Sequence, residues 1–123
     1  MKIYTFEKLI VWQKSISLSV MIYKQTREYP KDELFGLVSQ MRRCSVSISS
    51  NIAEGSGRKS PKDKARFTEI AYGSALELIN QLFISKELKY ISNENYITFR
   101  NELEQITLML DALHKSQLII EAK

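Results

Sequence analysis

The residues of this chain that could do chemistry are one histidine, one cysteine and a central run of cations. Asp111 and His114 stand three apart, close enough to touch on a helix. With a serine they would supply an acid, a base and a nucleophile. No serine is placed beside them by spacing, and no nucleophile elbow is present, so His114 reads as an ordinary surface residue and no catalytic residue is assigned. Cys44 follows Arg43, which could lower a thiol pKa. It has no second catalytic group, and it falls on an apolar stripe where cysteine acts as a small hydrophobe. One cysteine and one histidine cannot complete a metal set within the chain, nor can one cysteine form an internal disulfide. The expectation is a non-enzyme with no cofactor, no metal and no small-molecule substrate.

Asn51-Ile52-Ala53-Glu54-Gly55-Ser56-Gly57-Arg58 looks at first like a phosphate loop, but it matches neither glycine-rich fingerprint and follows a helix instead of a strand. Local roles fit better. Gly55 would cap the helix in the left-handed conformation, and Gly57 would complete the reversal. Asn51 would bond loop backbone, and Glu54 would pair with Arg58 or Arg43.

Around this loop the cations gather. Arg42, Arg43, Arg58, Lys59, Lys62, Lys64 and Arg66 stand against only Glu54 and Asp63, whereas Glu87–Lys123 carries four Lys/Arg against six acids. These seven cations are the candidate nucleic-acid contacts. The start of the third helix would add free N–H groups and a positive dipole. Such contacts give affinity without sequence information. The nearby aromatics, Phe67 and Tyr72, are better explained by packing than by base stacking. The competing reading is a solvated basic face.

The elements that must position these residues are helices. A chain of 123 residues with four glycines and two prolines is poor in turn formers, which favours long helices over many short strands. Helices are expected over about 6–27, 32–54, 61–89 and 93–120 of a single domain spanning 1–123. In the first, Leu9, Trp12, Ile16, Val20 and Tyr23 recur at three and four, and Pro30 ends it. The second carries Leu34, Leu37/Val38, Met41, Cys44/Ser45, Ile48 and Ile52. The third opens on Ser60-Pro61 with Asp63 as a capping box and carries Phe67, Ile70, Ala71, Ser74, Leu78 and Gln81. The fourth shows a heptad seam, Tyr96, Phe99, Leu103, Ile106, Leu110 and Leu113. Short connections make this an all-α, up-down-up-down antiparallel four-helix bundle.

Two helices carry a second apolar face. Val11, Leu18, Met21 and Ile22 point away from the Leu9–Tyr23 stripe, and Tyr72, Leu76, Ile79 and Phe83 form a second stripe on the third helix. A helix apolar all round is buried all round, so Val11, Leu18, Tyr72, Leu76, Ile79 and Phe83 are the candidate homo-oligomer interface. The same surplus would serve a protein–protein adaptor that binds no nucleic acid. Net charge is +4 and pI about 9.2. The N-terminus lacks a signal-peptide core, and no apolar run approaches the roughly 18 residues of a membrane span. The expected location is cytoplasmic.

Phe6-Glu7-Lys8-Leu9, Val11-Trp12-Gln13-Lys14, Tyr29-Pro30-Lys31-Asp32-Glu33, Phe35-Gly36-Leu37, Ser39-Gln40-Met41-Arg42-Arg43, Ser50-Asn51-Ile52-Ala53-Glu54-Gly55, Gly57-Arg58 and Ile70-Ala71-Tyr72-Gly73-Ser74-Ala75 together resemble one family. It is that of the four-helix bundle proteins encoded in intervening sequences of bacterial 23S ribosomal RNA genes. The resemblance implies a left-turning up-down bundle assembled as a ring, commonly a pentamer. Similar accessory proteins of diversity-generating retroelements work with a reverse transcriptase and its RNA through a basic surface, so RNA or a nucleoprotein is the implied partner. No catalytic residue is attributed to the family. Cys44 and Ser45 stand where its members commonly have small apolar residues.

Overall fold

The computed structural model describes residues 1–122, so Lys123 lies outside the described residues. A 3-10 turn at Thr5–Lys8 leads into α1 (Ile10–Thr26). A second turn, Lys31–Glu33, and a π-helical turn, Leu34–Val38, lead into α2 (Ser39–Ser56). Then come α3 (Pro61–Glu87) and α4 (Asn93–Ala122), with no strand among the described residues.

Side-chain contacts set the direction of each neighbour. Arg42, near the start of α2, bonds Thr26 at the end of α1. Met41 meets Ser85, Cys44 meets Ser74, and Gly55 lies on Phe67. Thr68 bonds Gln117, and Phe83 meets Tyr96 edge-on. Lys14 pairs with Glu102 while Asn95 bonds Gln25, closing α4 onto α1. For α2–α3, α3–α4 and α4–α1, moving forward along one helix moves back along the other, so these neighbours are antiparallel.

The core is built from Leu18 and Ile22 of α1, Met41 and Ile48 of α2, Leu78 and Leu82 of α3, and Leu103, Ile106 and Leu110 of α4. Burying each such side chain contributes roughly 1.5–3 kcal/mol. The α4 seam is buried from Tyr96 to Leu110, and Leu113 is half-buried. Leu34 of the expected second-helix stripe is exposed, because it precedes α2 in the π-helical turn.

The faces of α1 are the reverse of those expected. Val11, Ser15, Leu18, Ile22 and Thr26 are buried, while Ile16, Val20 and Tyr23 are exposed. Val11 and Leu18 therefore belong to the core of the single chain and are no surface for a second copy. The buried face tolerates Ser15 and Thr26 because each hydroxyl donates to the carbonyl four residues back, at 2.7 Å, which satisfies it without water. On α3, Ile70 is exposed and the small residues Ala71, Ala75 and Ser85 face inward with Leu78 and Leu82.

The third helix stops at Glu87, before Lys89, whose φ of 62° is left-handed. The Tyr90 N–H then donates to the Ser85 carbonyl at 2.9 Å and the Leu88 N–H to Ile84, which satisfies carbonyls the helix end would otherwise leave open.

Candidate nucleic-acid interface

At the α2–α3 corner, Gly55 is buried within the last turn of α2, and no glycine has positive φ. The expected left-handed cap is thus absent; Gly57 is the cap, at φ −87°. What Gly55 supplies is closeness. A Cβ there would lie 2.7 Å from Phe67 Cβ, well inside contact distance, so only glycine lets α3 lie this near.

Phe67, buried against that glycine, is a platform for two cations. The Arg58 guanidinium sits 4.5 Å from the ring centroid and that of Arg66 4.6 Å, a cation–π arrangement on both. Carboxylates hold the same groups: Arg58 pairs with Glu54 at 3.1 Å and Asp63 at 3.9 Å, and Arg66 pairs with Asp63 at 3.1 Å. These pairs are solvent-exposed and each contributes at most about 1 kcal/mol. Lys64 Nζ donates to the Ser56 carbonyl at 3.0 Å, tying α3 to the end of α2. Lys59 and Lys62 are exposed. The corner therefore holds five cations against Glu54 and Asp63.

The expected contribution of the α3 N-terminus is largely spent internally. Pro61 has no N–H, the Asp63 N–H donates to Ser60 Oγ at 3.0 Å, and the Lys64 N–H donates to the Ser60 carbonyl. Asp63 itself places negative charge in the first turn. The backbone at this helix start therefore offers little to an anion, and the cationic groups of the corner are side chains.

Arg42 and Arg43 lie at the other end of α2, about 20 Å from Arg58 at 1.5 Å per residue. Arg42 is a brace between helices: Nε donates to Thr26 Oγ1 at 3.0 Å, and the guanidinium lies 4.7 Å from the Tyr23 ring centroid. Arg43 is exposed beside a groove of about 390 Å³ lined by Gln40, Cys44, Ser47, Ser74 and Glu77. The seven expected cations thus form one cluster of five and a separate pair.

Asn51 does not reach the loop. Its Nδ2 donates to the Ser47 carbonyl at 2.8 Å and to Ser47 Oγ at 3.0 Å, and Ser47 Oγ in turn meets Ser74 Oγ at 2.9 Å. Cys44 donates its thiol to the Ser74 carbonyl at 2.9 Å. Burial, with help from the Glu77 carboxylate, pushes the thiol pKa up to about 12, so Cys44 is no nucleophile at neutral pH. His114 faces Glu69 at 3.9 Å while Asp111 pairs with Lys115 at 3.0 Å. The cavity beside them, about 260 Å³, is lined by Thr68, Glu69, Tyr72, Leu110, Asp111 and His114, without a serine. Ser60 and His114 do line a neighbouring depression, but the Ser60 hydroxyl is engaged as the helix cap. No triad forms.

Of the remaining second stripe on α3, Tyr72 and Ile79 are half-buried against the core, and Leu76 and Phe83 are exposed. Sequence reasoning missed the pairing of Phe67 with both arginines, because Arg58 lies beyond the end of α2 and reaches the ring only when α3 packs back on α2. No helix among the described residues is long and apolar enough to cross a membrane, and none of their His, Cys, Asp and Glu side chains gather in threes to hold a metal ion.

The model of the family described as 23S rRNA-intervening sequence protein matches residues 7–112. A crystal structure from Bacteroides thetaiotaomicron VPI-5482, a protein of unknown function from the S23 ribosomal protein family, superimposes with a TM-score of 0.78. It is 28% identical, over 86% of this chain and 99% of that one. No curated protein matches the sequence.

Proposed function

Because the chain belongs to the 23S rRNA-intervening sequence protein family, we propose that it is a non-enzymatic, cytoplasmic accessory protein that self-associates and binds RNA phosphates through its α2–α3 corner. The observation that carries the reading is the Phe67 platform, with guanidinium groups 4.5 and 4.6 Å from one buried ring. The ring and the Glu54 and Asp63 carboxylates hold both groups in place before any ligand arrives, which reduces the ordering cost of binding, and an arginine edge suits phosphate oxygens. Exposed Lys59 and Lys62 extend the surface. Lys64 serves mainly to fasten the corner, Arg42 to brace α1 on α2, and Arg43 is too distant to share a phosphate with Arg58. Binding is expected to read backbone charge without base identity, because Phe67 is covered and no other ring lies at the corner to stack bases.

Several copies in one assembly, a pentameric ring in the reading the resemblance suggests, would turn weak corners into a useful affinity. The adaptor reading is favoured by a different observation, the exposed Leu76 and Phe83 on the outer face of α3. Light scattering with and without a single-stranded RNA separates the two. The RNA reading expects a particle several times 14.3 kDa that gains RNA mass at low salt and sheds it when salt is raised. A particle that ignores RNA at every salt would favour the adaptor.

A further inference from the structure

Phe35 is 93% exposed. It stands in the π-helical turn between α1 and α2, with Leu34 exposed beside it. The turn is held on both sides. Glu33 Oε1 accepts from the Leu37 N–H at 3.4 Å, and Glu33 Oε2 accepts from the Tyr90 hydroxyl at 3.1 Å. An aromatic ring fully in water on a fastened turn has the character of an anchor at an interface.

The apolar face of α1 that the bundle leaves uncovered is the complement. Ile16, Val20 and Tyr23, with Val46 of α2, line a groove of about 620 Å³, with Lys24 and Arg27 along the α1 side toward its end. A space of this size takes a drug-sized molecule, so a ring and a neighbouring leucine fit it together. The charges are complementary as well. Asp32 is exposed three residues before Phe35, and the groove presents two cations. Knob and groove are different surfaces of one chain, so each copy can give with one and receive with the other.

The geometry points to a contact between two copies of this chain in which Phe35 of one enters the α1–α2 groove of the next, with Asp32 set against Lys24 and Arg27. This rests on the proposed self-association and names the surface that produces it. The ring stands at the opposite end of α2 from the Arg58 corner, and the groove reaches along α2 only as far as Ser50, so the contact includes none of the corner cations.

The test is sedimentation of the full chain without RNA, in wild type, three single variants and one double variant, with Lys24→Glu alone expected to weaken association. Phe35→Ala, Val20→Glu and Lys24→Glu alter exposed positions, so each is expected to keep the wild-type helical circular dichroism. Phe35→Ala and Val20→Glu are each expected to weaken association at least tenfold and shift the mass toward 14.3 kDa. An equimolar mixture of those two should recover dimers, since one supplies an intact groove and the other an intact ring. Asp32→Lys should partly restore assembly of Lys24→Glu. An assembly unchanged by Phe35→Ala or Val20→Glu overturns this contact while leaving self-association intact. Monomeric wild type at all concentrations overturns both. A mixture that stays monomeric overturns the pairing of ring with groove.

Discussion

Replacing Gly55 by alanine and replacing Gly73 by alanine should move stability in opposite directions. Both glycines are helical, and alanine gains about 0.8–1 kcal/mol over glycine in a helix interior. At Gly73 nothing lies within 4 Å of the added Cβ, so most of that gain survives. At Gly55 the new Cβ would stand 2.7 Å from Phe67 Cβ. Reaching ordinary contact requires the helices to part by roughly 1 Å, and because the opposing atom is a Cβ that no rotamer change can move, the cost is in the upper part of the overpacking range, about 2–3 kcal/mol. The shift also moves the ring on which Arg58 and Arg66 rest. The net expectation is a loss of about 1–2 kcal/mol for Gly55→Ala and a gain of about 0.5–1 kcal/mol for Gly73→Ala. For a chain of this size, roughly 4 °C accompanies each kcal/mol. Thermal unfolding followed by far-ultraviolet circular dichroism, at one protein concentration to hold any assembly constant, should place the two variants on either side of wild type. Gly55→Ala as stable as wild type or more so would refute the account of the corner as a close approach that only glycine allows.

Lys89→Gly should stabilise the protein by about 1 kcal/mol in the same assay, because a side chain at φ 62° carries a cost that glycine lacks. Arg42→Ala should destabilise by roughly 1–2 kcal/mol through loss of the Thr26 bond and the Tyr23 stack, with RNA affinity changed far less than by variants at the α2–α3 corner. Cys44 should resist a thiol reagent at neutral pH until the chain unfolds. Its pKa is raised from 9.0 to about 12 in the folded state, so the stability this thiol contributes is complete below pH about 9 and is lost as pH rises toward 12. By pH 11 that loss is on the order of 3 kcal/mol. Tyr29, also raised by burial, adds to the decline above pH 10, and Cys44→Ala should flatten the earlier part of it in urea titrations at stepped pH.

The bundle was legible where one periodic signal stood unopposed. The α4 seam from Tyr96 to Leu110 and the Ser60-Pro61-Asp63 start of α3 each pointed to a single arrangement. Pattern failed on α1 because hydrophobicity alone ranked the two faces wrongly. Ser15 and Thr26 look polar in sequence, yet they satisfy their hydroxyls on their own helix and face inward, leaving Ile16, Val20 and Tyr23 outside. Gly55 was recognised as special for the wrong reason, since its close approach to Phe67 depends on how the next helix packs back on α2. The cation cluster was visible as composition, but its division was not. Only packing separates Arg42, used as a brace, from Arg58 and Arg66, stacked on one ring.

The central claim is that the α2–α3 corner binds RNA phosphate. Its most direct test is the salt dependence of binding to a single-stranded RNA oligomer, for wild type, Lys59→Ala/Arg66→Ala, and Lys31→Ala at the far end of the bundle. Each lost phosphate contact should reduce the slope of log K against log salt by about 0.7. The corner variant is therefore expected to bind more weakly and with a slope shallower by roughly 1.4, while Lys31→Ala follows wild type. An unchanged slope at the corner, or an equal loss from Lys31→Ala, would contradict the claim.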